Sequence, residues 1–281
     1  MKNVKNEITN KIVDLIETHG SEWIKPFTGL CGIPENALTG KSYRGMNSFW
    51  LGLQGHTYWA TYKQWKELGA QVMEKSKSSL IAVPMQIKDK ETEEIKGLFF
   101  RPAHVFSASQ VEGWEAPVIE AKDQTVILNN VDNYLKNAGA KVTNSNEGRA
   151  FYSPSSDSIQ MPYRNQFIAT ETSTATECYY STLLHEHIHW TGHNSRLDRL
   201  NEKNRRGYAF EELIAELGAA MLCASLNVSP EVRADHSQYI AGWLKALTSE
   251  GGSDYIWKAA SEAQKAVDYL NMRQQAEVVA A

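Results

Sequence analysis

Cysteine is scarce in this sequence: Cys31, Cys178 and Cys223 are the only three in 281 residues. They are too few and too scattered for a disulfide framework or a cysteine metal knuckle, which favours a reducing compartment. No apolar run approaches the ~18 residues needed to cross a bilayer, so no membrane span is expected. An uninterrupted apolar stretch is also missing from the first twenty residues, where Glu7, Asp14 and Glu17 stand in place of an export signal. These absences together predict a cytoplasmic protein without a membrane partner. Internal repeats and low-complexity tracts are missing too, which excludes solenoids and disordered arrays. Nor is there a basic surplus: the net charge of −4 counts, at first sight, against a phosphate-rich partner.

What is present is ordinary globular composition, 42% hydrophobic and 22% charged. At ~100 to 200 residues per domain, the length predicts two domains. The net charge hides an asymmetry. Residues 1–88 hold 11 Lys and Arg against 7 Asp and Glu, whereas residues 126–281 hold 14 against 18. Ile8, Ile12, Leu15 and Ile16 recur at helical spacing and stop at Gly20. Residues 29–55 are rich in turn formers and read as loop. Tyr62, Trp65 and Leu68 mark a short helix before Gly69. Ser79–Ile87 and Gly97–Phe106 read as a hairpin, with Pro84 and Pro102 pointing to edge positions or bulges. The pattern loses its period between Ala108 and Asp123, where a domain boundary falls. Beyond it the sequence predicts helices at Val126–Ala138, Glu177–Trp190, Ala209–Leu226, His236–Thr248 and Ser253–Met272, and a strand at Ser158–Phe167. The fold class is therefore α+β: a small N-terminal α+β unit, residues 1–122, and a mainly helical unit with a short sheet, residues 123–281.

The sharpest chemistry is in TLLHEHIHWTG, where His185, Glu186 and His189 form H-E-x-x-H. On a helix, positions i and i+4 share a face, so both imidazoles reach one Zn²⁺ while the glutamate points at its open coordination position. Glu186 is then the general base for metal-assisted hydrolysis. With 8 His and 24 Glu in the chain, chance would supply about 0.02 such motifs. His187, between the motif positions, fits a packing or hydrogen-bonding role. A third ligand is required. The H-E-x-x-H-x-x-G-x-x-H pattern fails, since Gly192 is present but Ser195 stands where the third histidine would be. Glu212 and Glu216 in FEELIAELGAAML offer the other solution, Glu212 as ligand and Glu216, one turn on, orienting a ligating histidine. Glu211 is rotated about 100° from Glu212 and lacks an i+4 companion, which makes it the weaker choice. His and carboxylate ligands suit Mn²⁺ or Co²⁺ as well as Zn²⁺. The strand SIQMPYRNQF, just before the metal helix, is expected to be an edge that grips an extended peptide. Tyr163, Arg164, Tyr179 and Tyr180 are all candidates for an oxyanion stabiliser.

Five of the eight tryptophans fall in the first 125 residues. Tyr43, Phe49, Trp50, Tyr58, Trp59 and Tyr62 interleave with Lys41, Arg44, Lys63 and Lys66, a mixture suited to a single strand whose bases stack while its phosphates meet cations. For any one tryptophan a place in the core is the commoner outcome. The loop context of Tyr43 and Trp50 favours their exposure.

In order and spacing, ALTGKSYRGMNSFWL, YWATYKQWKELGAQV, FRPAHVFSASQVEGW, YSPSSDSIQMP, YYSTLLHEHIHWTGHNSRLDR and YAFEELIAELGAAML resemble the ArdC-type antirestriction proteins of conjugative plasmids and phages. The likeness covers nearly the whole chain. It implies an N-terminal single-stranded-DNA-binding domain joined to a zincin-like metallopeptidase domain, and a role in protecting incoming DNA from host restriction. A host restriction-related protein would be the peptidase substrate. The expected DNA contacts are Lys41, Tyr43, Arg44, Trp50, Trp59, Tyr62 and Lys63. KSKSS at 75–79 departs from the glycine-containing basic turn more usual in the family. The rival readings are a DNA-coating protein with a purely structural zinc, and a metallopeptidase without a nucleic-acid partner.

Overall fold

The computed structural model describes residues 4–19, 32–89, 92–117, 124–170, 173–200, 205–228, 243, 245–249 and 252–275. Helix α1 (Val4–His19) buries Ile8, Ile12 and Ile16 at the spacing its sequence requires. Strand β1 (Glu35–Asn36) and helix α2 (Gly45–Gly52) follow, so the stretch read as loop contains a helix. Glycine at both ends gives α2 poor intrinsic propensity. It forms because six of its eight residues are buried and because its start is held from outside: Gln264 Oε1 accepts from Gly45 N at 2.8 Å, and Arg44 pairs with Asp268. Strand β2 (Tyr58–Ala60), helix α3 (Tyr62–Glu67) and strand β3 (Gln71–Val72) come next. Thr61 and Gln64 close a capping box on α3, and its Trp65 is fully buried. In the turn after β3, Lys75 takes φ 65°, the left-handed conformation that a glycine would serve.

Strands β4 (Ser79–Lys88) and β5 (Ile95–Ser107) form the expected hairpin. The sheet order is β1-β2-β5-β4, and β5 meets β2 only at Phe106 and Ser107. Pro84 therefore lies on an edge strand and Pro102 on a stretch of β5 whose second side is unpaired, where a missing N–H costs nothing. At Ala82, two residues before Pro84, the outward backbone groups are met by the Asn47 side-chain amide at 2.8 and 3.0 Å. Strand β6 (Val111–Glu112) pairs with β3.

Helix α4 (Gln124–Ala138) turns Val131, Tyr134, Leu135 and Ala138 inward. A three-stranded sheet, ordered β7-β9-β8, comprises β7 (Lys141–Ser145), β8 (Phe151–Ser153) and β9 (Ser158–Pro162). The expectation of a peptide-gripping edge at Ser158–Phe167 is corrected here. Strand β9 is central, parallel to β7 and antiparallel to β8, and it ends at Pro162 before a 3-10 turn at Arg164–Gln166. Three long helices follow among the described residues: α5 (Ala175–Thr191), α6 (Arg205–Leu226) and α7 (Gly252–Gln275). The expected helix at His236–Thr248 lies largely outside the described residues.

Helix α5 is buried on every side from Cys178 to Thr191, which makes it the axis of the molecule. One hydrophobic cluster runs from Ile8, Phe49 and Trp59 through Leu184 and Ile188 to Leu217 and Ala263. The two halves of the chain thus share a core, with α7 packed on α1, α2, α4, α5 and α6. A smaller cluster around Trp65, Val72 and Val111 stands apart from it. Among the described residues no helix is long and apolar enough to cross a membrane.

Candidate metal centre

Helices α5 and α6 cross where Gly218 of α6 leaves room for Ile188 of α5. That approach faces the histidines of one helix with the carboxylates of the other. His185 Nε2 and His189 Nε2 lie 3.1 Å apart. Glu212 spans both, Oε2 at 3.5 Å from His185 Nε2 and Oε1 at 3.4 Å from His189 Nε2. Donors about 2.0–2.2 Å from a tetrahedral ion are separated by about 3.3–3.6 Å; the two Glu212 separations fall in that range and the histidine pair lies just below it, a spacing that suits a small divalent cation. Two imidazole nitrogen lone pairs repel at such a distance unless a proton or a cation lies between them. Among the described residues, His185, His189 and Glu212 are the one group whose ligand atoms converge in this way.

All three are buried, as is Glu186, which is 2% exposed on the same turn of α5. Burying so many carboxylates is costly without compensating positive charge. The electrostatics reflect it. Burial pushes the Glu212 carboxyl up, but His189 and His185 outweigh it and hold the pKa far below the ordinary range. Burial likewise lowers His189, yet Glu212 and Glu211 lift it to about 10. Glu216 Oε2 lies 3.6 Å from His185 Nδ1, on the side away from the convergence point.

The surroundings are tied to the same helices. His187 points away, with Nδ1 2.7 Å from the Leu183 carbonyl and burial lowering its pKa to about 4. Arg196 reaches back from the loop after α5, stacks 3.9 Å from Trp190, and pairs with Asp157 in the β8–β9 turn. Of the oxyanion candidates, Tyr180 donates to Asp132 at 2.8 Å and Arg164 lies 4.9 Å over the rings of Tyr179 and Tyr180; Tyr163 is exposed.

Two of the expected DNA contacts need correction. Trp50 is 7% and Trp59 1% exposed, and both belong to the main core. Trp50 lies on the inward face of α2, and Trp59 sits between β1 and β5 with its Nε1 donating to the His56 carbonyl at 2.8 Å. Neither presents a face to a base. Lys41, Arg44, Tyr62 and Lys63 are exposed and Tyr43 half-buried; Tyr62 keeps 49% of its surface open.

Glu211, the weaker choice by helix arithmetic, touches the other nitrogen of a histidine. Its Oε1 lies 3.3 Å from His189 Nδ1, and Arg199 holds both its oxygens at 2.9 and 3.2 Å. An imidazole has two nitrogens, so adjacent residues 100° apart on one helix can take one each; the sequence signal was the Glu-Glu pair itself.

An H-E-x-x-H helix crossed by a helix that supplies a third, carboxylate donor defines a zincin-like metallopeptidase domain, and the family model of that description matches residues 129–262. A second model, the N-terminal domain of anti-restriction factor ArdC, matches residues 2–134. The chain belongs to the ArdC family of antirestriction proteins. It is 37% identical to the ArdC protein of plasmid R388, whose crystal structures, metal-free and Mn(II)-bound, superpose with a TM-score of 0.75 over 96% of this chain and 97% of that one. It is also 33% identical to the uncharacterized protein y4eC of Sinorhizobium fredii, over 96% of this chain and 92% of the relative. A DNA primase TraC of Escherichia coli is 33% identical over 94% of this chain, which spans only 26% of that longer protein.

Proposed function

We propose that this chain is an antirestriction factor that binds single-stranded DNA with its N-terminal half and hydrolyses a peptide bond at the α5–α6 site. The observation that carries the hydrolytic part is the convergence of His185 Nε2, His189 Nε2 and Glu212 beside the buried Glu186. His185, His189 and Glu212 hold the metal, Zn²⁺ in our reading, with Mn²⁺ and Co²⁺ compatible with the same donors. Once bound, the ion would polarise the scissile carbonyl and acidify a water. Glu186 takes the proton from the attacking water and passes it to the leaving amine. Glu216 keeps His185 turned towards the centre. The substrate is a protein of the host restriction machinery.

The nucleic-acid part rests on the exposed cations Lys41, Arg44 and Lys63 beside Tyr43 and Tyr62, in a first segment that is basic although the whole chain is acidic. Stacking and local charge suffice for a single strand, so the global sign does not oppose it.

Glu186→Gln tests the enzymatic reading, because it removes the base while leaving the three donors in place. Metal content is expected to stay at the wild-type level while antirestriction activity is lost; unchanged antirestriction would replace hydrolysis with DNA coating. Binding of a labelled oligonucleotide across a salt series tests the other half. Affinity should fall steeply as salt rises, and no binding at low salt overturns the DNA assignment.

A further inference from the structure

We infer that Arg199 and Glu211 are positioning residues that fix the orientation of His189 and thereby set the metal affinity of the site. The inference rests on the metal-centre reading above. Glu211 is buried, and its Oε1 lies 3.3 Å from His189 Nδ1. An ionised carboxylate only accepts hydrogen bonds, so Nδ1 keeps its proton in this contact and Nε2 is the nitrogen whose proton a metal displaces. Nε2 is the atom that faces His185 Nε2 at 3.1 Å and Glu212 Oε1 at 3.4 Å. The Glu211 contact thus selects the form of His189 that can ligate.

Glu211 does not hold this position by itself. Arg199 grips it with a two-pronged contact, Nη2 to Oε1 at 2.9 Å and Nε to Oε2 at 3.2 Å. The side chains of the pair are only 6% and 9% exposed. The same guanidinium donates to the Ile188 carbonyl at 2.8 Å and to Thr191 Oγ1 at 2.9 Å. It therefore joins the last turn of α5, which carries His189, to the turn of α6 that carries Glu211 and Glu212. A planar fork with fixed donors can do this; a lysine cannot, since it is a point charge on a flexible stem.

The chain makes room for the arrangement at Gly192. A Cβ there would lie 3.1 Å from Arg199 Nη2 and 3.0 Å from Leu200 Cγ. The amides of Arg199 and Leu200 both donate to the Gly192 carbonyl, at 2.9 and 3.2 Å, which folds the loop back on the end of the metal helix. The glycine of the H-E-x-x-H-x-x-G segment thus serves a buried arginine, where a third histidine would otherwise have been sought.

The test is zinc affinity measured by competition with a chromophoric chelator in the full chain. Wild type, Glu211→Gln, Arg199→Lys and Glu212→Ala are compared, each checked for fold by circular dichroism without metal. Glu211→Gln and Arg199→Lys are expected to bind about 10- to 100-fold more weakly than wild type, and Glu212→Ala to retain no zinc. Wild-type affinity in a folded Glu211→Gln or Arg199→Lys overturns the inference but leaves the metal centre intact. No zinc binding by the wild type overturns both. Long-range ¹H–¹⁵N spectra of the zinc-loaded wild type need no variant. They should show His189 protonated at Nδ1 and ligating through Nε2, and ligation through Nδ1 refutes the inference.

Discussion

Gly218 and Ile188 set the distance between the two helices of the candidate metal centre: a Cβ on Gly218 would lie 2.8 Å from Ile188 Cδ1 and 2.9 Å from Cγ1. Ile188 is fully buried, and its β-branch leaves it little rotamer freedom inside a helix. Gly218→Ala must therefore move α6 away from α5. Overpacking of this kind costs about 1–3 kcal/mol, readable as a lower denaturation midpoint. Zinc affinity should fall with it, because Glu212 moves with α6 while both histidines stay on α5.

Removing the third donor has a sharper effect. Glu212→Ala is expected to abolish metal retention through gel filtration, read by elemental mass spectrometry. Full occupancy in that variant would exclude Glu212 as a ligand.

Asp157 gives the fold a dependence on acid. The hydrogen bonds from Arg196 hold its pKa at about 2, against desolvation that raises it and with help from Tyr152. A depressed carboxyl contributes stability above its unfolded pKa of about 3.9 and loses it as pH falls through the folded value. The difference in stability between wild type and Asp157→Asn should therefore be constant above about pH 4 and shrink between about pH 4 and about pH 2. A difference that does not change across that window would show that the Arg196 contact is not what the carboxylate supplies.

The two aromatics Trp59 and Tyr62, three residues apart, should separate stability from binding. Trp59→Ala removes a fully buried ring and is expected to cost about 3–5 kcal/mol, measured by urea unfolding. Tyr62→Ala on the exposed face of α3 should leave the unfolding free energy within about 0.5 kcal/mol of wild type while weakening oligonucleotide binding. The opposite pattern would move the nucleic-acid surface elsewhere.

Cys223 should be chemically silent. Burial pushes its thiol up to about 12, so little thiolate forms at pH 8. A maleimide should label Cys223 only after denaturation, and rapid labelling of the native protein would show that α6 opens.

Local pattern carried a good part of this fold. Helical spacing marked α1, α3 and α4, and alternation bounded by turns marked the β4–β5 hairpin, because each periodicity reflects which side chains can share one face. It failed at α2, whose glycine-flanked sequence has no helical preference and is held by Gln264, more than two hundred residues away. It failed again at β9. A five-residue strand reads the same at an edge or at a centre, and the neighbours that decide, β7 and β8, are set by topology.

At the candidate metal centre, spacing along the chain was enough to place the H-E-x-x-H helix and to pair Glu212 with Glu216, since separations of three and four residues on a helix fix which atoms share a face. The remaining contacts come from packing. Glu211 reaches the far nitrogen of His189, Arg199 reaches Glu211 from a loop, and Trp50 and Trp59 turn into a core shared by both halves of the chain. Those relations join residues whose separation along the chain carries no period, and only the packing of α5, α6 and α7 against one another brings them into contact.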